Sequence, residues 1–297
     1  MDFLYLLQNL RTIPLNILAQ FITYFGQDLI LVSLICITYW CFNKEYGYKA
    51  CFSYFLSGVL IQSLKVTFRI KRPFLTDKRL HPVDSAVKAA TGYSFPSGHT
   101  QGATSIYSSL AFSLKKRIYI IISGIIIILV GISRMYLGVH SPKDVLTAFA
   151  IALVLSILVD RFYNTISANT RHERIFIISA IIICLCLIIY TFVLVKTGNT
   201  TSVLAKDSFV TLGGAIGYLA GFYLEKNYVR FSTSCKSIPL HILKVILGMA
   251  GIIVIKALLP LVIGKGMIAN TVRYSLIAFW LAYVYPIIIK KVFNKNL

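Results

Sequence analysis

Eight residues in three separate stretches have types and spacings suited to gripping a tetrahedral anion: Lys65 and Arg72, then Ser97, Gly98 and His99, then Arg134, His140 and Asp144. Lys65 and Arg72 are seven apart, about two turns on a helix, so they can point the same way. A lysine point charge and an arginine fork both suit phosphate oxygens. Pro96-Ser97-Gly98-His99 reads as a helix start, where free backbone N–H groups and the positive dipole end favour an anion. Gly98 permits close backbone approach, the Ser97 hydroxyl adds a donor, and Arg134 supplies a second fork. Together these groups amount to a cationic cage.

His140 and Asp144 are four apart, one turn if a helix begins near Ser141-Pro142. The carboxylate can then accept from Nδ1–H and leave Nε2 to attack phosphorus, which is the orienting logic of a catalytic triad turned to nucleophilic use. His99 stands at the other helix start as a general acid for the leaving oxygen. Each assignment has a plainer counterpart. Ser141-Pro142-Lys143-Asp144 also fits a capping box with the carboxylate at its third position. Arg134 and Lys65, taken singly, could be interfacial anchors whose long side chains snorkel.

The elements that must carry these residues belong to a membrane. Of 297 residues, 57% are hydrophobic and only 13% charged, and the mean hydropathy is +0.77. Apolar runs recur near the ~20 residues a helix needs to cross the bilayer, and they do not alternate as barrel strands would. The expected fold is an all-α polytopic transmembrane bundle of about nine spans: 29–42, 48–68, 99–114, 118–136, 142–160, 174–195, 208–224, 240–263 and 273–290. Residues 3–25 are amphipathic and interrupted by Gln8, Asn9, Arg11, Thr12 and Pro14. They either lie in the interface or form a weak first span. Asp2 stands where a signal peptide would be basic, so no removable segment is expected. By alternation of spans, the three stretches fall on one side of the membrane.

The motifs Lys-x6-Arg-Pro (65–73), Pro-Ser-Gly-His (96–99) and Ser-Arg-x5-His-x3-Asp (133–144) resemble, in that order, the three signatures of the type-2 phosphatidic acid phosphatase superfamily, and all eleven specified positions match. The resemblance implies Lys65, Arg72, Ser97, Gly98 and Arg134 as phosphate ligands. It implies His140 as the residue that becomes phosphohistidine, Asp144 as its partner, His99 as the acid, and a reaction needing neither metal nor cofactor. Membrane lipid phosphatases and the soluble vanadium haloperoxidases share this pattern. The expected activity is hydrolysis of a lipid phosphate monoester or polyprenyl diphosphate, with phosphatidic acid, phosphatidylglycerophosphate and undecaprenyl diphosphate as candidates. The alternative is a transporter or flippase that handles phosphate without hydrolysis. The likeness covers residues 1–170, a phosphatase core expected to hold six helices. Residues 171–297 form an additional four-helix region of unassigned role.

The formal charge of +20 arises from 30 basic and 10 acidic residues. The basic residues sit in short segments between apolar runs, which favours lipid headgroups and phosphate over nucleic acid. One set of loops holds Lys44 and Lys49, then Lys115, Lys116 and Arg117, then Arg161, Arg171 and Arg174. It continues with Lys226, Arg230 and Lys236, and ends at Lys290, Lys291 and Lys295. With the basic loop 69–98 set aside for phosphate binding, this bias puts the C-terminus in the cytoplasm and the site on the outer face of a cell membrane.

The remaining features read more quietly. Gly213, Gly217 and Gly221 form GxxxGxxxG, the spacing of close helix packing. The six cysteines show no metal-ligand spacing. Asn199-Thr200-Thr201 is a glycosylation sequon with meaning only in a eukaryotic source. His172 and His241 read as structural or solvated. His81, with Lys78, Arg79 and Lys88, is either solvated or in contact with a headgroup. Lys244 and Lys256 fall inside an apolar run, where a lysine lines something polar or snorkels.

Overall fold

Side-chain capping sets where several of the long helices begin. The computed structural model describes residues 1–87 and 90–294, so Lys88 and Lys295 lie outside the described residues. Its helices are α1 (Asp2–Asn9), α2 (Ile13–Tyr24), α3 (Asp28–Ile37), α4 (Lys44–Phe68), α5 (Pro73–Thr76), α6 (Asp84–Val87) and α7 (Gly98–Leu114). They continue with α8 (Arg117–Tyr136), α9 (Pro142–Ala168), α10 (Thr170–Lys196), α11 (Lys206–Leu224), α12 (Ile238–Ile263), α13 (Met267–Phe279) and α14 (Tyr285–Val292). π-helical turns extend α3 through Thr38–Phe42 and α11 through Glu225–Val229, and a third joins α13 to α14. Asn43 caps α4, Ser97 caps α7 and Asn169 caps α10 through their side chains. Each cap satisfies amide groups that would otherwise be orphaned, and contributes ~1 kcal/mol.

The expected nine spans are not confirmed by helix length and apolarity alone. Among the described residues, six helical segments are long and apolar enough to cross a membrane: Lys44–Thr76, Arg117–Tyr136, Pro142–Ala168, Thr170–Lys196, Ile238–Ile263 and Met267–Val292. A seventh arises if α2 and α3 with its π turn, bent by 41° at their junction, are one broken span. The segments expected at 99–114 and 208–224 are helical but are not among these, and α7 is 17 residues long. The physical reason is burial in protein: α7 carries Thr100, Gln101, Thr104, Ser105, Ser108 and Ser109 on buried positions, and α11 buries Gly213, Gly214 and Gly217. A helix that faces other helices has no need of a lipid-facing apolar surface. Helix α7 makes its packing contacts with α4, α8 and α9, and Gln101 there bonds Ser57 and the Tyr54 carbonyl on α4.

The glycine repeat does what its spacing suggests. A Cβ built on Gly213 would lie 2.2 Å from the Thr271 carbonyl oxygen, one on Gly217 1.9 Å from that of Ser275, and one on Gly221 2.8 Å from the Ala282 Cβ. The α11 backbone therefore rests directly on α13 and the turn after it.

Residues 3–25 form two helices rather than one. Helix α1 and the turn after it lie over the 77–85 loop: Tyr5 donates to Asp77, Gln8 bonds the Arg79 carbonyl and the His81 amide, and Arg11 reaches the carbonyls of His81 and Tyr136. His81 holds these contacts through its backbone and its side chain is exposed. Lys244 is fully buried and bonds the carbonyls of Trp40 (3.2 Å) and Thr233 (3.0 Å), closing the open end of the π turn after α3. Lys256 is exposed on α12.

Candidate functional site

Four helix ends and two loops deliver the eight candidate residues to one place. Lys65 is in the last turn of α4, and Arg72 follows on the extended residues before α5. Ser97, Gly98 and His99 open α7, Arg134 closes α8, His140 lies in the short α8–α9 connection, and Asp144 is in the first turn of α9. The three stretches meet: Arg72 Nη1 is 3.1 Å from the Val139 carbonyl oxygen and 3.2 Å from His140 Nε2, and the Ser97 amide donates to the Asp144 carbonyl at 3.0 Å. All the charged members are buried, Arg134 at 1% exposure, Arg72 at 4% and Lys65 at 6%.

The imidazole is held differently from expectation in two respects. Its Nδ1 lies 3.5 Å from Asp144 Oδ2, an apposition longer than an ordinary hydrogen bond. Ser94 stands between the two groups, donating to Asp144 Oδ2 at 2.6 Å with its oxygen 3.4 Å from Nδ1. The same Oδ2 accepts the Ser141 amide at 2.8 Å while Asp144 N donates to Ser141 Oγ, so the capping box and the histidine contact coexist on one carboxylate. The second difference is at Nε2, which is not free but faces Arg72. A guanidinium only donates, so Nε2 carries the lone pair and Nδ1 the proton, the tautomer an in-line nucleophile requires. Burial, reinforced by the positive charges of Arg72, Arg134 and Lys65, pushes His140 well below the usual imidazole range, and the Asp144 carboxylate opposes this. The ring is neutral at neutral pH.

Four buried side-chain nitrogens around this imidazole have no hydrogen-bond partner among the described residues: Arg72 Nε, His99 Nε2, and Arg134 Nε and Nη2. A buried donor left unpaired costs ~1–3 kcal/mol, more when charged. The arginine donors concentrated in this way match a tetrahedral anion, and His99 Nε2 joins them when it carries a proton. Ser97 is buried as the cap of α7, where its oxygen accepts from the Thr100 hydroxyl at 3.0 Å and leaves its own O–H to donate. A Cβ built at Gly98 would meet nothing within 4 Å, so there is open space beside the α7 N-terminus.

Several residues that complete the arrangement carry no sequence signal. Thr23 on α2 accepts from Arg134 Nη1 at 2.9 Å, and Gly26 packs against the His99 backbone. The N-terminal helices are thus structurally part of the site. The Thr91 carbonyl accepts from Arg72 Nη2 at 2.6 Å and the Tyr93 carbonyl from Lys65 Nζ at 2.9 Å. Backbone acceptors and lone hydroxyls have no periodicity or charge pattern by which to find them.

A helical membrane bundle with a buried ring of cations around a neutral histidine defines an integral membrane protein of phosphate-handling type. Two family models match the chain, the PAP2 superfamily over residues 46–168 and the PAP2 superfamily phosphatase, transmembrane extension, over 209–295. The chain belongs to the PAP2 superfamily. It is similar to phosphatidylglycerophosphatase B of Bacillus subtilis, 38% identical over 117 residues, which is 35% of this chain and 57% of that protein. Undecaprenyl-diphosphatase BcrC of Bacillus subtilis is 29% identical over 153 residues, 50% of this chain and 75% of that protein. Sphingosine-1-phosphate phosphatase 1 of Rattus norvegicus is 26% identical over 268 residues, 87% of this chain and 59% of that protein. The chain thus spans under two thirds of the length of the first and third of these.

Proposed function

We propose that this chain is a lipid phosphatase that hydrolyses a phosphate monoester or diphosphate of a membrane lipid through a phosphohistidine on His140. The observation that carries the proposal is the set of unpartnered buried nitrogens of Arg72, Arg134 and His99 near a neutral imidazole whose Nε2 faces the Arg72 guanidinium. In the first step His140 Nε2 forms a bond to phosphorus as the bond to the leaving oxygen breaks, the lipid's own oxygen in a monoester or the bridging oxygen of the lipid phosphate in a diphosphate, and His99 donates a proton to that oxygen. In the second, water attacks phosphorus, His99 takes its proton, the N–P bond breaks and phosphate leaves. Arg72 turns from Nε2 to a phosphate oxygen as substrate enters. With Lys65, Arg134, the Ser97 hydroxyl and the α7 N-terminus at Gly98, it stabilises the charge of the transition state, the largest catalytic contribution in such sites. Asp144 holds the tautomer and stabilises the positive charge that develops on the ring.

In this reading residues 1–170 are the catalytic core and 171–297 an additional region, with the site on the outer face of the cell membrane and the C-terminus in the cytoplasm. The names of the three relatives all specify phosphate or diphosphate esters of lipids, which supports the substrate class. An outward-facing site favours polyprenyl diphosphate within it.

The test is phosphate release by the purified protein in detergent from phosphatidic acid, phosphatidylglycerophosphate, sphingosine-1-phosphate and undecaprenyl diphosphate. Expected are release from at least one lipid, unaffected by EDTA and inhibited by vanadate, with no turnover in His140→Ala. Binding of these lipids without release from any of them would replace hydrolysis by transport. Full activity of His140→Ala would remove the nucleophile assignment.

A further inference from the structure

Residues Thr91–Ser94 form a strip that touches much of the anion site without belonging to any of its three motifs. Its Thr91 carbonyl holds Arg72, its Tyr93 carbonyl holds Lys65, and its Ser94 hydroxyl holds Asp144. The position of that strip therefore decides where two cations and the histidine's carboxylate point. Among the described residues, one backbone bond ties it to the motif region, from the Ser94 amide to the Ile70 carbonyl at 2.8 Å.

The other face of the strip is held from more than a hundred residues away, by the α10–α11 connection and the first turn of α11. The Tyr93 hydroxyl and the Thr200 hydroxyl are 2.8 Å apart, with both residues buried. The Thr91 hydroxyl donates to Asp207 Oδ2 at 3.1 Å. Between them Gly92 adopts φ +65°, and a Cβ there would come within 3.2 Å of the Leu204 carbonyl oxygen. Asp207 also lies within electrostatic reach of both Lys65 and Arg72. A place in the first turn of α11 accounts for a carboxylate by the helix dipole alone. It does not account for the bond to Thr91 or for the Thr200–Tyr93 pair beside it.

We infer that Thr200 and Asp207 are positioning residues of the anion site: they lock the Thr91–Ser94 strip, and through its carbonyls and the Ser94 hydroxyl they set Lys65, Arg72 and Asp144 in register around His140. The C-terminal region thereby completes the site rather than merely accompanying it. The inference rests on the phosphatase reading for its catalytic consequence, but its geometric content concerns anion binding alone.

The experiment compares wild type with Thr200→Val, Thr200→Ser, Asp207→Ala, Asp207→Asn and Tyr93→Phe, using inorganic vanadate as the probe. Vanadate affinity is measured by calorimetry, and kcat and KM on the best lipid from the panel. Thr200→Val, Tyr93→Phe and Asp207→Ala should each weaken vanadate binding and lower kcat/KM about tenfold or more, as expected for loss of a ~1.4 kcal/mol hydrogen bond. The double change Thr200→Val with Tyr93→Phe should cost no more than either alone. Thr200→Ser and Asp207→Asn retain the hydrogen-bonding atoms and should stay within about threefold of wild type. Wild-type vanadate affinity in Thr200→Val and Asp207→Ala overturns the inference, whatever their stability. A wild-type protein that binds vanadate but hydrolyses no lipid ends the phosphatase reading alone, and the affinity ratios still decide this inference. A wild-type protein that does not bind vanadate overturns both.

Discussion

Nη1 of Arg72 lies 3.2 Å from Nε2 of His140, so a cation of the cage rests on the lone pair of the proposed nucleophile. The arginine fixes the tautomer and lowers the proton affinity of the ring, and it must exchange this contact for a phosphate oxygen when substrate arrives. Arg72→Lys keeps the charge but loses the fork. Expected is a fall in kcat on the order of 10²-fold with little change in thermal midpoint. Steady-state kinetics checks this, and wild-type kcat in the lysine variant would show that the fork is not used.

Asp144 serves two structures with one oxygen. Asp144→Asn should lower kcat on the order of 10³-fold, because the amide cannot stabilise the charged ring, while costing the α9 capping box only ~1 kcal/mol. Ser94→Ala removes the bridging hydroxyl and should cost about tenfold in kcat. Rapid acid quench on labelled substrate should show slower formation of phosphoenzyme in both. Slower breakdown with unchanged formation would place Asp144 in the second step instead.

The pH dependence has a defined sign. His140 sits below its ordinary value chiefly through burial, with Arg72, Arg134 and Lys65 acting in the same direction. Its neutral form therefore persists below about pH 6.5, and the rate is lost only as pH falls through the lowered value of the folded protein. Asp144 is the influence that raises it, so Asp144→Asn should move the acid limb of kcat/KM lower still. The unfolded chain protonates this ring near about pH 6.5, so its burial destabilises the fold progressively below that pH and not above it. Profiles of kcat/KM on a substrate whose own ionisation is titrated separately check the assignment, and a limb above about 6.5 contradicts it.

Gly217 on α11 faces the Ser275 carbonyl so closely that any Cβ must displace α13. Gly217→Val should destabilise the protein by ~1–3 kcal/mol, seen as a lower midpoint in detergent. Gly124, with open space at its Cβ position, should tolerate alanine without such a shift.

Thr23 ties the N-terminal helices to Arg134. Thr23→Val leaves a further guanidinium nitrogen unpaired and should lower kcat about tenfold, at a cost of ~1–3 kcal/mol. Unchanged kinetics would mean that Arg134 is oriented by α8 alone.

The eight candidate residues, the all-helical membrane class and the glycine seam on α11 were legible in the sequence. Each depends on short spacings along one chain direction: Lys65 to Arg72, His140 to Asp144, and Gly213 to Gly217 to Gly221. Local geometry and capping chemistry act at that range, and cations clustered in an apolar chain are costly to keep there without partners. Apolarity alone does not mark α7 and α11 as spans because it reports contact with lipid, whereas these helices are covered by protein and carry Ser, Thr and Gly instead. Tertiary structure alone decided that Ser94 stands between His140 and Asp144, that Thr23 braces Arg134, and that the 200–207 connection grips the Thr91–Ser94 strip. Those contacts join single hydroxyls, carbonyls and one carboxylate across up to 116 residues, a separation over which only packing of the whole bundle fixes position.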